Sequence, residues 1–524
     1  QPNGSGGTYT VSFSPNAAGR RDSMTDPSGT TSYGYDGAGR LDELTNPLSE
    51  VTTWAYDDDS RVTRITYHTG AYDAYAYDTR GRLTSVNSKN SSNGSLRSRS
   101  YTYDVASQMA TQTVDSIATT YDYDDAGQLI EESRSGYAAT YSYDGNGNRL
   151  TKTLGGMTED YVYDDGDKLL EIKVGSTVVK DFDYDNAGRT TKIQTSGYTR
   201  NFAYDYESRI TQITGLATNN TFTYNGLDTR TKKVDSAGTS NFQRVGAYVT
   251  DAVVADGSAT YTPGVSERRS STTKYLHAGL KNADLQTNSS QTNTGTRRYD
   301  AFGNIVGGIG SYSGPFGYAG KFGYQSSEDA GLMLLGHRYY DPNTGRFLTR
   351  DPIRDGRNWY GYCSSTPTSL IDSTGLRQFL GIKASIAFII SVDVEFGIDF
   401  NDDGSRNWSG GGGIGFGAQI GLQLGPTYRI DGETGAPTPG WTREGPGDTT
   451  LSIGPVDLDF DKGGNNGFGI TPGTSIGLAM VLGKLEWKSN PVFTSREVYS
   501  SDWRDSIPSE ENLRRFYGIP IEAL

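Results

Sequence analysis

The pattern Tyr-x-Tyr-Asp, or a close variant of it, returns along the first half of the chain at nearly constant intervals. Its closing residues are Asp36, Asp57, Asp78, Asp104, Asp124, Asp144, Asp164, Asp185, Asp205 and Asn225, in steps of 21, 21, 26, 20, 20, 20, 21, 20 and 20 residues. A unit of about 20 residues is long enough for one β-hairpin and too short to bury both of its faces. The period therefore demands stacking. Whatever else the chain does, this half has to be a continuous array of hairpins in which each unit covers its neighbour.

Each copy spells out its own geometry. Aromatic residues at i and i+2 project from one face of a strand. The Asp that follows accepts bonds from backbone N–H groups two residues on and closes a turn. A Gly two or three positions later supplies a positive φ, and Arg-Leu opens the return strand, as in "YGYDGAGRL" and "YAYDTRGRL". Calcium loops need closely alternating carboxylates and carbonyls. The series as a whole lacks that pattern, so these Asp residues read as turn formers, and neither metal nor cofactor is expected.

Composition agrees with an all-β chain. With 36 Tyr, 68 Gly and a hydrophobic fraction of 34%, aromatic rings must supply much of the buried area. A formal charge of −14 argues against nucleic-acid or anionic-membrane binding by the whole chain. The lone Cys363 excludes intramolecular disulfides, and with only His68, His277 and His337 a zinc site or a Cys/His catalytic pair is not expected. His337 and Cys363 read as packing residues. No apolar run reaches the ~18 to 20 residues of a transmembrane helix. The chain begins at Gln1, which reads as a processed or truncated piece.

The Tyr-x-Tyr-Asp-x-x-Gly-Arg-Leu units over residues 10–232 resemble the YD or Rhs (rearrangement hotspot) repeat family, whose strands spiral into a hollow β-shell around a cargo polypeptide. From Lys232 to Arg298 the repeat loses register. Then Tyr275-Leu276-His277, "YDAFGN" from Tyr299, Arg338-Tyr339-Tyr340-Asp341-Pro342, Thr344-Gly345-Arg346-Phe347 and Asp351-Pro352-Ile353 follow, continuing through "NWYGY" to Leu376. These pieces resemble the Rhs-associated core of polymorphic toxins, of the C component of insecticidal toxin complexes and of related teneurin-type shells. The expected fold is an all-β, spiralling YD-repeat shell capped by this core and followed by a small Gly-rich antiparallel β-domain. The expected divisions are 1–232 (repeats), 233–298 (transition), 299–376 (core and plug) and 377–524 (variable C-terminal domain).

In many members the core also cuts itself with paired aspartates. The resemblance places Asp351 and Asp372 at the two motif positions, Arg350 beside the first, and the scissile bond at Leu376–Arg377, with Asp341 and Asp355 as rivals for the second carboxylate. Two carboxylates that share a proton can serve as base and acid on a peptide bond. Two departures stand out: Ser373 replaces the Pro of the closing motif, and Arg354 replaces the Gly usual after Asp-Pro-Ile.

Residues 377–524 contain no His and no Cys, which argues against His-dependent nucleases, Cys proteases and zinc deaminases there. "SVDVEFGIDF", "GGGIGFGAQIGLQL", "LSIGPVDLDFD" and "TSIGLAMVLGKLEW" alternate as strands, and "SEENLRRFYG" reads as a short helix capped by Ser509. Three functions remain. One is a shell that encapsulates or presents its own C-terminal segment as toxin-like cargo, self-cleaving after Leu376, with a shell-completing or delivery partner. Another is an uncut structural or surface-interaction protein. The third makes residues 377–524 a membrane-contacting β-domain. The resemblance places such a protein at the bacterial surface or outside the cell.

Overall fold

The computed structural model describes residues 8–354 and 356–376 in full, and beyond them only short backbone strands between residues 379 and 478. Among the described residues there is no α-helix. Twenty-three strands, from Ser12–Pro15 to Gly238–Asn241, form one antiparallel sheet in which every strand pairs with its neighbours in sequence. This is the hairpin array that the period demands.

The local chemistry explains the repeat. Asp36 Oδ1 accepts the N–H groups of Ala38 (3.0 Å) and Arg40 (2.9 Å), and Gly39 turns the chain at φ 83°. Where Gly is missing at that position, Ser60, Ser107, Asp167, Ser208 and Asp228 adopt the same left-handed conformation, with φ between 62° and 67°. In nine of the ten pairs the first aromatic is buried in the core, namely Tyr33, Trp54, Tyr101, Tyr121, Tyr141, Tyr161, Phe182, Phe202 and Phe222, and Tyr75 is partly buried against it. The second is half-buried and always tyrosine, because its hydroxyl donates to a backbone carbonyl of the preceding unit. Examples are Tyr56 to Leu41 O (2.6 Å), Tyr143 to Leu129 O (2.9 Å) and Tyr204 to Thr190 O (2.7 Å).

A second antiparallel meander of eight strands runs from Gln243–Arg244 to Ile305–Gly310, and a third of four strands from Gln325–Ser327 to Arg346–Phe347. The sheets divide between Asn241 and Gln243, not at residue 232, and the "YDAFGN" hairpin belongs to the second meander. Both meanders lie on the aromatic face of the array. Val254, Val265 and Tyr275 pack with Tyr33 and Trp54; Ala301 and Phe302 with Tyr121 and Tyr141; Leu332, Leu334, Tyr339 and Leu348 with Phe182, Phe202 and Phe222. The N-terminal end of the array is tied to the first strand of the second meander. Tyr9 donates its hydroxyl to Arg244 O (3.1 Å) and accepts Arg244 N–H (2.6 Å).

Beyond Leu376, Asp393–Phe400, an alternating segment, pairs antiparallel with Arg406–Gly413, which lies mostly before the alternating run from Gly411, and the run "LSIGPVDLDFD" folds as two paired strands, Thr449–Ile453 and Val456–Phe460. The Ser509 helix lies outside the described residues.

Candidate functional site

The site is built at the end of the core, where the hairpin around Gly336 meets the segment that leads to Leu376. Gly336 (φ 51°) and Gly375 (φ 69°) sit back to back: a Cβ on Gly336 would lie 2.0 Å from Thr374 O, and one on Gly375 2.2 Å from Leu335 O. Only glycine allows this approach. His337 N–H then donates to Thr374 O at 2.9 Å and fixes the register of the segment.

Arg338 reaches across that contact. Its Nε donates to Gly375 O and one terminal nitrogen to Trp359 O at 3.1 Å. The other terminal nitrogen lies 3.3 Å from Asp351 Oδ2 and 3.5 Å from Asp372 Oδ2. The two carboxylates therefore face one another across a single guanidinium nitrogen. Both are withdrawn from water, Asp351 at 5% exposure and Asp372 at 0%. Asp351 Oδ1 also accepts Ile353 N–H (2.9 Å).

Asp372 is held differently. Its own N–H donates to Tyr324 Oη (2.7 Å), and its Oδ1 accepts Leu376 N–H (3.1 Å), so the carboxylate touches the residue at the expected cut. Its Oδ2 is buried without a hydrogen-bond donor among the described residues. Burial pushes its pKa up to about 7; Arg338 pulls it down, and the charge of Asp351 raises it further. Burial wins because the guanidinium is shared and not in hydrogen-bonding contact. One carboxyl of the pair thus keeps its proton near neutrality while its partner has the ion pair.

The other sequence candidates fall elsewhere. Arg350 does not join the pair: it packs by Trp359 and against the repeat turn at Gly188, and Arg338 takes the place expected for it. Asp341 is a turn former, its oxygens accepting Asn343 N–H (2.9 Å) and the Thr344 hydroxyl (3.1 Å). Asp355 and Arg377 lie outside the described residues. Arg354, standing where glycine is usual, has φ 57° and stacks over Trp359, so the left-handed turn survives the replacement. Ser373 lies within the turn closed by Asp372 Oδ1.

Arg338 and Tyr324 were missed from sequence, although Arg338 opens the "RYYDP" motif. Nothing in the chain's order says that a residue 34 positions before Asp372 faces it.

Two other polar groups prove to be pins. His277 bridges Asp73 (2.8 Å) and Thr287 (2.9 Å), all fully buried between the array and the second meander. His337, with Nδ1 3.8 Å from Asp228, is held below its usual pKa by burial. Cys363 is buried, and burial pushes its thiol pKa up, so it is no nucleophile.

The family model of the RHS repeat matches residues 16–51 and 123–159. The chain is 45% identical over 56 residues to YibJ of Escherichia coli (strain K12), and 31% identical over 189 residues to the tRNA3(Ser)-specific nuclease WapA of Bacillus spizizenii. These matches cover 10% and 32% of the chain, but only 24% and 8% of the relatives. Among solved structures, the crystal structure of TcdB2-TccC3-Cdc42 aligns over 70% of the chain and 22% of its own (TM-score 0.53, 17% identity). The Photorhabdus luminescens Tc holotoxin pore, carrying a TccC3 aspartate-to-alanine substitution, aligns over 73% of the chain and 22% of its own (TM-score 0.54, 20% identity). The shared feature is the β-shell fold.

Proposed function

We propose that this chain, which carries RHS repeats and shares the β-shell fold of the TccC3 structures, presents residues 377–524 as cargo and frees them by cutting itself after Leu376. The observation that carries this reading is the Asp351–Arg338–Asp372 cluster, with Leu376 N–H bonded to Asp372 Oδ1 at 3.1 Å.

The chemistry follows from the two environments. Asp351, in the Arg338 ion pair, is the carboxylate suited to take a proton from water. Asp372, protonated up to about pH 7, is suited to hydrogen-bond the Leu376 carbonyl oxygen. Water oxygen attacks the Leu376 carbonyl carbon, the bond to the Arg377 nitrogen breaks, and that nitrogen leaves with a proton. The products are a Leu376 carboxylate and an Arg377 amine. Arg338, bonded to Gly375 O, positions the peptide beside both acids. The aromatic face of the array is largely occupied by the chain's own meanders. Enclosing the cargo fully therefore calls for further wall, from upstream repeats or a partner. Secretion or surface display fits such a device.

A denaturing gel of purified chain tests the cut. Two fragments are expected, with Arg377 as the new N-terminus. D351N and D372N should each leave one band, with rates down at least ~100-fold. Wild-type cleavage should fall as pH rises through about 7, where Asp372 loses its proton. A single band from wild type, or cutting that persists in D372N, would sink the reading.

A further inference from the structure

The repeats are not chemically uniform, and their irregularity coincides with where the core docks. In five units an Arg stands four residues after the turn Asp: Arg40, Arg61, Arg82, Arg189 and Arg209. Each bonds its own Asp, at 2.6 to 2.7 Å, and stacks over the second tyrosine of the next unit, at 4.5 to 5.0 Å. Arg40, Arg189 and Arg209 also donate to the turn carbonyl of that next unit, at 3.1, 2.8 and 3.1 Å. The arginines thus form a ladder along one rim, tying turn to turn.

The ladder is broken in the middle. Four successive units carry Gln108, Gln128, Asn148 and Lys168 instead. The core lies over this gap. Thr366 donates to Gly127 O (2.6 Å) and Ser365 to Gly147 O (3.3 Å), while Tyr360 reaches Gly188 O (2.6 Å) in the first arginine-bearing unit beyond the gap. At its centre, Arg346 donates to Asn148 Oδ1 (2.6 Å) and to Asp167 O, and its guanidinium stacks 4.9 Å from the Tyr163 ring. Tyr163 is the ring that an arginine at position 148 would cover by the rule of the other units. Asn358 donates to the same Asn148 oxygen (2.6 Å).

We propose that the arginine gap is the docking surface for the core, and that Arg346 fills the missing rung in place of an arginine at residue 148. The partner fitted to this surface is the chain's own segment from Arg346 to Thr368, and one guanidinium per Tyr163 sets its register. Asp351 lies five residues beyond Arg346 on the same segment. On the self-cleaving reading above, Arg346 is a positioning residue for that acid. The docking itself does not depend on that reading.

The test is a double-mutant cycle on the full chain between N148R and R346A, read by thermal unfolding and by protease sensitivity of residues 344–368. N148R puts two guanidinium groups at one ring, so the core should loosen several-fold in protease sensitivity. R346A should loosen it too, by leaving the slot empty. The double variant, with one arginine restored to the slot, should unfold at a higher temperature than N148R alone despite its extra substitution. Additive losses, or an N148R chain with wild-type protection, would overturn the proposal. R40N, in a unit that the core does not cover, should lower the melting temperature without exposing residues 344–368. If R40N exposes them equally, the effect belongs to any broken rung and the proposal fails. Cleavage at Leu376 is scored separately, so an uncut wild type leaves the cycle interpretable.

Discussion

The hydroxyl of the second tyrosine decides more than its ring does. The first aromatic position of the repeats accepts Tyr, Trp or Phe, whereas the second is Tyr in all ten units from Tyr35 to Tyr224. A buried ring alone does not distinguish Phe from Tyr; a buried carbonyl that needs a donor does. Tyr204→Phe should therefore cost about 1–2 kcal/mol, since Thr190 O, at 2.7 Å, loses its donor. Phe202→Tyr, at the first position, would instead introduce a hydroxyl into the core. Denaturant melts of the two variants check the asymmetry; equal small losses would contradict it. Asp372 teaches the same lesson at the candidate site, because its environment, not its identity, sets the proton it carries.

At the level of elements, the array and the second meander are joined through a pair of buried acids. Glu132, on the strand Leu129–Arg134, accepts Ala301 N–H at 2.8 Å from the "YDAFGN" turn, whose Asp300 is also buried. Arg134 lies 3.0 Å from Glu132, yet burial, with Asp300 adding to it, pushes the Glu132 pKa up to about 8. Asp300 is raised as well, again chiefly by burial. A carboxyl whose folded pKa is raised holds its proton better when folded. Its contribution is complete below the unfolded value and is lost as pH rises through the folded one. The junction should thus weaken by an amount on the order of a few kcal/mol as pH climbs from the unfolded value to about 8. Glu132→Gln, which keeps the acceptor and removes the titration, should flatten that loss. Melting curves at pH ~6 and ~9 decide it; parallel behaviour of wild type and variant would contradict the assignment.

For the whole molecule, the start of the array is held to the second meander at Tyr9 and Arg244, and Tyr9→Phe removes both hydrogen bonds between the Tyr9 hydroxyl and the Arg244 backbone at once. We expect a loss of about 1–3 kcal/mol in local protection, read as faster amide exchange in Ser12–Pro15 and near Arg244, with the middle repeats unaffected. Uniform change across the array would mean that this junction does not open independently. The hairpin array, its turn chemistry and its aromatic face were legible from sequence because they are local: a period of about 20 residues, an Asx turn and an i, i+2 pair need no knowledge of distant residues. The paired acids were legible only through motif resemblance. Arg338 in place of Arg350, the proton held by Asp372, the contact of Tyr9 with Arg244 and the seat of Arg346 in a gap nearly 200 residues earlier were not. Each depends on long-range packing, where burial and a shared guanidinium outweigh neighbourhood in the chain, and only the tertiary structure decides which side chains meet.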